Sequence, residues 1–274
     1  MSPLREVPSI RFAVIADAPA IASLMKAGTS PAIHRVTVIG SPSLAAHVAR
    51  QIQVSGPDQY LVAILAGEVV GMTAWGHSGD TLMLNHIFLR SDCRGVRVGA
   101  QLVLEGLRRC RKAGEQHVGV DVFAENPRAE AWYRTLGMRH QFEKIWLGLP
   151  LCATSSDGFG DWQTEGLSVA DHAQEEMGFS RFSLRTPRTT YTIGRLGSKW
   201  YRYGGFDILD DPSAVHALQT LDPSRRLLCI GDANLVPAQW AHDGQVVSRS
   251  TRLSASVGAM FASLTARVQS AQVS

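Results

Sequence analysis

Leu84-Asn85-His86-Ile87-Phe88-Leu89-Arg90-Ser91-Asp92-Cys93-Arg94-Gly95-Val96-Arg97-Val98-Gly99-Ala100 is the stretch on which the reading of this chain turns. It reads as a strand up to Leu89, then a short loop bearing arginine and glycine, then a helix from Gly99. Such a junction gathers unpaired backbone N–H groups at the positive end of a helix. That is a site for an anion, most naturally phosphate. Glycine in the loop allows close backbone approach and dihedrals that other residues avoid.

On either side the periodicity predicts a mixed α and β unit. Residues 60–65, 69–75 and 81–89 read as three strands of an antiparallel meander, with turns at Ala66-Gly67-Glu68 and at residues 76–80. Upstream, residues 10–16 are strand-like, Asp17 is the expected N-cap of a helix carrying Ile21, Leu24 and Met25, and residues 42–52 form a second short helix. Downstream, the helix 99–113 turns Leu102, Val103, Gly106 and Leu107 inward. Its Arg108, Arg109, Arg111 and Lys112 complement the C-terminal dipole. A strand at 117–123, a helix at 127–136 ended by Gly137, and a strand at 138–149 follow.

The quoted stretch resembles motif A of the GCN5-related N-acetyltransferase (GNAT) superfamily, Arg/Gln-x-x-Gly-x-Gly/Ala. Arg94, Gly99 and Ala100 match it; Arg97 stands where the first glycine belongs, and Gly95, two residues earlier, does not restore the pattern. Residues 120–138 are similar to motif B, with Asn126 ending a strand, Tyr133 seven residues later, and a Leu136-Gly137-Met138 close. The two likenesses cover about residues 9 to 150. They imply an α+β fold (mixed α/β), the GNAT fold, whose central, mostly antiparallel twisted sheet is flanked by helices.

The resemblance also implies acetyl-CoA as cofactor, with CoA as product and no metal. Its contacts would come from Phe88, Leu89, Arg94, Gly95, Val96, Arg97, Val98, Gly99, Ala100, Asn126 and Tyr133. Tyr133 would protonate the departing thiolate. The Leu89 N–H would hold the oxyanion where the family parts its fourth and fifth strands. An amine acceptor with a pKa of about 10.4 is mostly protonated at neutral pH, so a base is useful. Asp121, a charge inside an apolar strand, and His86 are the candidates, with Asn85, His77 and a water-mediated base as rivals. Strand alternation puts Asn85 and His86 on opposite faces.

Composition narrows the partners. The 27 Lys+Arg and 24 Asp+Glu leave a net charge of +3, too small to argue for nucleic acid. No apolar run approaches the ~20 residues of a membrane span, and the first eight residues carry no secretory stretch, so a cytoplasmic location is expected. Cys93, Cys110, Cys152 and Cys229 have neither C-x-x-C pairing nor zinc-finger spacing and read as free thiols.

Residues 153–161 are small, polar and glycine-rich, which suggests a boundary. The expected division is a catalytic GNAT domain at 1–150, a linker and short helix at 151–179, and a smaller, degenerate GNAT-like α/β domain at 180–274. In the last, a strand at 227–234, a helix at 235–243 and a strand at 245–253 echo motif B. Asn234 and Trp240 match Asn126 and Trp132, while Ala241 and Cys229 replace Tyr133 and Asp121. That half is expected to bind no cofactor and to complete the substrate cleft or the core. Lys199-Trp200-Tyr201-Arg202-Tyr203 reads as alternation in a half-buried strand. With Arg181, Arg185, Arg188 and Arg195 nearby, its charge is solvated or serves an anionic ligand.

The expected activity is acetyl transfer from acetyl-CoA to a primary amine of a small molecule, by direct attack on the thioester. The alternative is a silent acyl-CoA-binding or regulatory module. The resemblance places the acceptor around residues 27–38 and 141–145, and the protein is expected to act as a monomer or homodimer without nucleic-acid or membrane partners.

Overall fold

A computed structural model of the chain describes residues 7–54, 56, 58–95, 97–151, 161–238 and 244–269. In chain order its elements are β1 (Ser9–Phe12), α1 (Ala18–Ala27), α2 (Pro31–His34), α3 (Leu44–Gln53), β2 (Gln59–Leu65), β3 (Glu68–Ser78), β4 (Thr81–Leu89), α4 (Val98–Cys110), β5 (His117–Phe123), α5 (Pro127–Thr135) and β6 (Arg139–Pro150). They continue through β7 (Gln163–Glu165), α6 (Leu167–Met177), β8 (Phe179–Arg185), β9 (Thr190–Leu196), β10 (Trp200–Tyr203), α7 (Pro212–Leu221), β11 (Arg226–Asp232), β12 (Gln245–Ser256) and α8 (Val257–Gln269).

The chain forms two compact units, and it passes between them more than once. The first draws on the described residues of 1–30, 45–141 and 251–274, the second on those of 31–44 and 142–250. These limits differ from divisions near 150 and 180. β6 begins in the first unit and continues in the second; β12 begins in the second and ends in the first. Each has 12 residues, which at roughly 3.3 Å per residue is long enough to contribute to both units.

In the first unit the strand order is β1-β2-β3-β4-β5-β12. β1 to β4 form the antiparallel meander that alternation predicts, and β5 runs parallel to β4 because α4 makes the crossover. The apolar stripe of α4, with Leu102, Val103 and Leu107, is buried against Trp75, Leu84 and Val118, and Met260 and Leu264 of α8 join the same core. At the start of α1, Asp17 is already helical and does not cap the helix through its side chain. Its carboxylate turns back to accept from the Val14 N–H at 2.8 Å and from the Arg11 guanidinium at 2.6 Å. The Arg11 pair holds that carboxyl below the usual carboxylate range.

The second unit repeats the plan on a smaller scale, with strand order β12-β6-β11-β10-β9-β8-β7. β7 to β10 are antiparallel and β11 is parallel to β10, with α7 between them. Phe182, Leu184, Tyr191, Ile193, Tyr201, Leu227 and Cys229 pack with Ala214, Ala217 and Leu218 of α7. Residues 31–44 belong here: the Trp200 indole donates to the Arg35 carbonyl at 3.1 Å, and Ser41 Oγ donates to the Met177 carbonyl at 2.7 Å.

The helix expected from residue 235 does not start there. Ala233–Leu235 is a single 3-10 turn, and Val236 is extended (φ −67°, ψ 120°) because the following Pro237 bars it from the helical region. Trp240 and Ala241 lie outside the described residues, as do Cys152 and most of the polar stretch 153–161. No described helix is long and apolar enough to cross a membrane.

Candidate active site

β4 and β5 pair only where Thr81, Leu82 and Met83 meet His117, Val118 and Gly119. Beyond Met83, β4 runs on to Leu89 and β5 to Phe123 without a ladder between them among the described residues. Parted strands leave backbone groups along two facing edges, and such groups need partners. On its other side β4 stays paired with β3 as far as Gly71 and Leu89.

The β3–β4 register slips once. Ala74 faces His86 and Trp75 faces Leu84, so Asn85 is the extra residue of a β-bulge. The bulge overturns the simple alternation that set Asn85 and His86 on opposite faces. His86 and Phe88 lie opposite Ala74 and Met72, on the face that Gly76 shares. The Asn85 amide occupies that face too, 2.6 Å from where a Cβ on Gly76 would sit. There Asn85 Nδ2 donates to Asp58 Oδ1 at 2.7 Å, and the missing side chain of Gly76 makes room for the pair.

Tyr60, opposite Ala74, completes the group, and burial with the nearby Asp58 pushes its phenol up. Asp58 and Tyr60 were not among the sequence candidates. Their two-residue spacing at the start of β2 was the available signal. His86 and Phe88 stack with ring centroids 6.0 Å apart, and the Phe88 ring packs against Gly28 at the end of α1.

The loop from β4 to α4 takes an unusual path. Gly95 has φ +80°, and Arg97, the residue before α4, has φ +69° and ψ −1°. A left-handed conformation costs an L-residue about 1 kcal/mol, which is the physical reason for a glycine at this place in the motif. Here an arginine bears the strain. α4 has no side-chain cap, so the N–H groups of Val98, Gly99 and Ala100 at its start lack intrahelical acceptors. Arg94 and Arg97 are exposed beside them, and Arg94 Nε donates to the Leu89 carbonyl at 3.4 Å. Gly99 brings the helix close to Leu89 and Trp132, whose atoms lie 3.3 and 3.7 Å from its Cβ position. Val96 lies outside the described residues.

Asn126 caps α5, its side chain accepting from the Ala129 N–H at 3.1 Å, with Pro127 as the first helical residue. Tyr133 is 4% exposed, its ring 5.1 Å from that of Trp132. Among the described residues its hydroxyl has no hydrogen-bond partner. Burial pushes the phenol up, so Oη keeps its proton through neutral pH.

Asp121 has both oxygens engaged. Arg252 of β12 donates to them through Nε at 2.6 Å and through its terminal nitrogen at 2.9 Å. To accept a proton, this carboxylate would have to give up two charge-assisted hydrogen bonds. His77 lies opposite Leu82, at the end where β4 and β5 are still paired, with Nδ1 2.6 Å from Glu115 Oε1.

Comparison with known proteins agrees with the fold. The sequence profile of the acetyltransferase (GNAT) family matches residues 38–138. A tandem GNAT protein from the clavulanic acid biosynthesis pathway, solved without AcCoA, has a similar structure. The TM-score is 0.63 at 12% identity, over 91% of this chain and 98% of that one. A GCN5-related N-acetyltransferase from Sphaerobacter thermophilus superposes with a TM-score of 0.58 at 15% identity, over 94% and 97% of the two chains. At such identities the likeness is one of fold. No curated protein resembles the sequence closely enough to count as a relative.

Proposed function

We propose, for a chain that belongs to the GNAT superfamily through residues 38–138 and is tandem-like in architecture, that the first unit acetylates a primary amine of a small molecule. Acyl transfer is the chemistry of that family. One observation carries the reading: β4 and β5 part beyond Met83, beside the uncapped start of α4.

When bound, acetyl-CoA supplies the acyl group in activated thioester form. The residues present fit it. The N–H groups at the start of α4, with Arg94 and Arg97, suit a pyrophosphate. The edge of β4 that β5 leaves bare suits an extended amide-bearing arm, with the Leu89 N–H as oxyanion donor. Tyr133 keeps its proton on a hydroxyl with no hydrogen-bond partner among the described residues, which supports its role as general acid. The acceptor amine comes to the face covered by α1, where His86 takes its proton and the Asp58–Asn85 pair lines the approach. Asp121 secures β12 through Arg252 and is not needed as a base.

The test is release of free CoA thiol from acetyl-CoA across a panel of primary amines, repeated with Tyr133→Phe. Amine-dependent release that falls about 10²-fold in the variant supports the assignment. Full activity in Tyr133→Phe removes the tyrosine from the mechanism. Tight acetyl-CoA binding with no turnover on any amine favours a silent binding module.

A further inference from the structure

In the second unit, three residues on neighbouring strands stand directly opposite one another: Arg181 on β8 faces Gly194 on β9, and Gly194 faces Arg202 on β10. Cross-strand partners share a face, and this one lies opposite the core that Phe182, Ile193 and Tyr201 build. Two arginines therefore flank a glycine, and the place above the glycine holds no side chain of its own. The nearest atoms to a Cβ at Gly194 are the Arg202 Cβ and backbone oxygen at 3.5 Å and Phe179 Cε2 at 3.7 Å, all at ordinary van der Waals distance, so the Phe179 ring walls one side of the place without filling it.

Neither guanidinium has a carboxylate partner among the described residues. Arg181 lies 5.4 Å from the centroid of Phe179, and Arg202 lies 5.4 Å from that of Trp146, so aromatic rings hold both in place. The Arg202 Nε–H is buried without an acceptor, and so is the Arg226 Nε–H on the adjacent strand, in the same face. Burial, with the like charge of Arg181, pushes the Arg202 guanidinium down to about 10. A cation set into a protein surface without a counter-charge is costly, and natural proteins answer that cost with a partner. Planar guanidinium forks match carboxylate and phosphate oxygens two at a time.

We propose that the Arg181–Gly194–Arg202 row is a binding site for a small anionic molecule, whose carboxylate or phosphate group sits above Gly194 between the two guanidinium groups. The site is separate from the parted strands of the first unit and does not depend on acetyl transfer. Since β10 and β11 stay paired, the molecule binds on the face of the sheet and not within it.

The full chain is titrated with sodium phosphate and, separately, sodium succinate, against sodium chloride at equal ionic strength, with Tm as the readout. Saturable stabilisation beyond the chloride control is expected, following mass action. Response to phosphate alone identifies a phosphate ligand, and response to succinate alone or to both a carboxylate-accepting site. Arg202→Gln is expected to weaken the response at least tenfold, and Gly194→Val to abolish it by filling the slot with both arginines intact. Arg181 is exposed, so Arg181→Gln keeps the test open should Arg202→Gln fail to fold. The proposal is overturned if neither anion exceeds the chloride control, or if the variants titrate as the wild type does.

Discussion

β4 and β10 hold the same place in their units. Each closes a meander, precedes a helix, and then meets a parallel strand. The difference begins where the helix does. α4 starts from a left-handed Arg97 with no side-chain cap, so its first N–H groups are open to an outside anion. α7 starts from Asp211, whose carboxylate accepts from the Ala214 N–H at 3.2 Å and from the Thr186 and Tyr191 hydroxyls at 2.7 and 3.0 Å. That buried carboxylate is the negative charge a helix N-terminus attracts, and it would repel a phosphate. The strands differ in the same sense. β10 is paired with β11 over its whole length, from Trp200 to Tyr203, whereas β4 and β5 pair only from Thr81 to Met83 and then part. At the helix start and along the neighbouring strand edge, the first unit leaves backbone groups open to a ligand and the second satisfies them internally.

The heaviest blow to this contrast would come from Tyr133→Phe. Loss of a buried proton donor beside the open strands should lower kcat about 10²-fold with little change in KM, measured by CoA release. An unchanged kcat would mean that the open unit does not use what it holds open.

Asp211→Ala is the matching change in the closed unit. It removes a cap and strands the buried Tyr191 hydroxyl, while Thr186 keeps the Thr189 carbonyl, so chemical denaturation should report a loss of about 2 kcal/mol. It should not create an acetyl-CoA site, because β10 offers no free edge; calorimetric binding to an Arg94→Ala/Asp211→Ala double variant would refute that.

Asp121→Asn should cost about 1 kcal/mol, since the pair with Arg252 is partly solvated. The pH dependence of kcat should stay as it was. A lost pH limb would return Asp121 to the role of base.

The smallest effect is expected from Arg97→Gly. Relief of the left-handed strain should raise stability by about 0.5–1 kcal/mol in thermal or chemical melts, while acetyl-CoA binding weakens if the side chain touches phosphate. Destabilisation would show that the arginine, like Asp211, satisfies its own unit.

Much of this was legible in the sequence because its signals are local. Alternation marked the meander, and spacing marked Arg94, Gly99, Asn126 and Tyr133. What escaped was set by distant or subtle events. The bulge at Asn85 turns one residue without leaving a compositional trace, and so brought Asn85 and His86 to one face. The partner of Asp121 is 131 residues away, in a strand that reads like any other. Nothing in the composition of residues 139–150 or 245–256 tells that each strand serves both units. Pro237, by contrast, was in plain view and argued against a helix from residue 235.

The return of β12 and α8 to the first unit bears on how the protein is made. A ribosome delivers the chain from its N-terminus, and domains commonly fold as they emerge. Here the emerged meander must wait, because its last strand and the arginine that holds Asp121 are made only after more than a hundred further residues. During that interval the edge of β5 is bare, and a chaperone or a neighbouring nascent chain can reach it first. Synonymous codon changes between residues 142 and 250 that alter elongation speed should therefore change the soluble yield of a protein whose sequence has not changed at all.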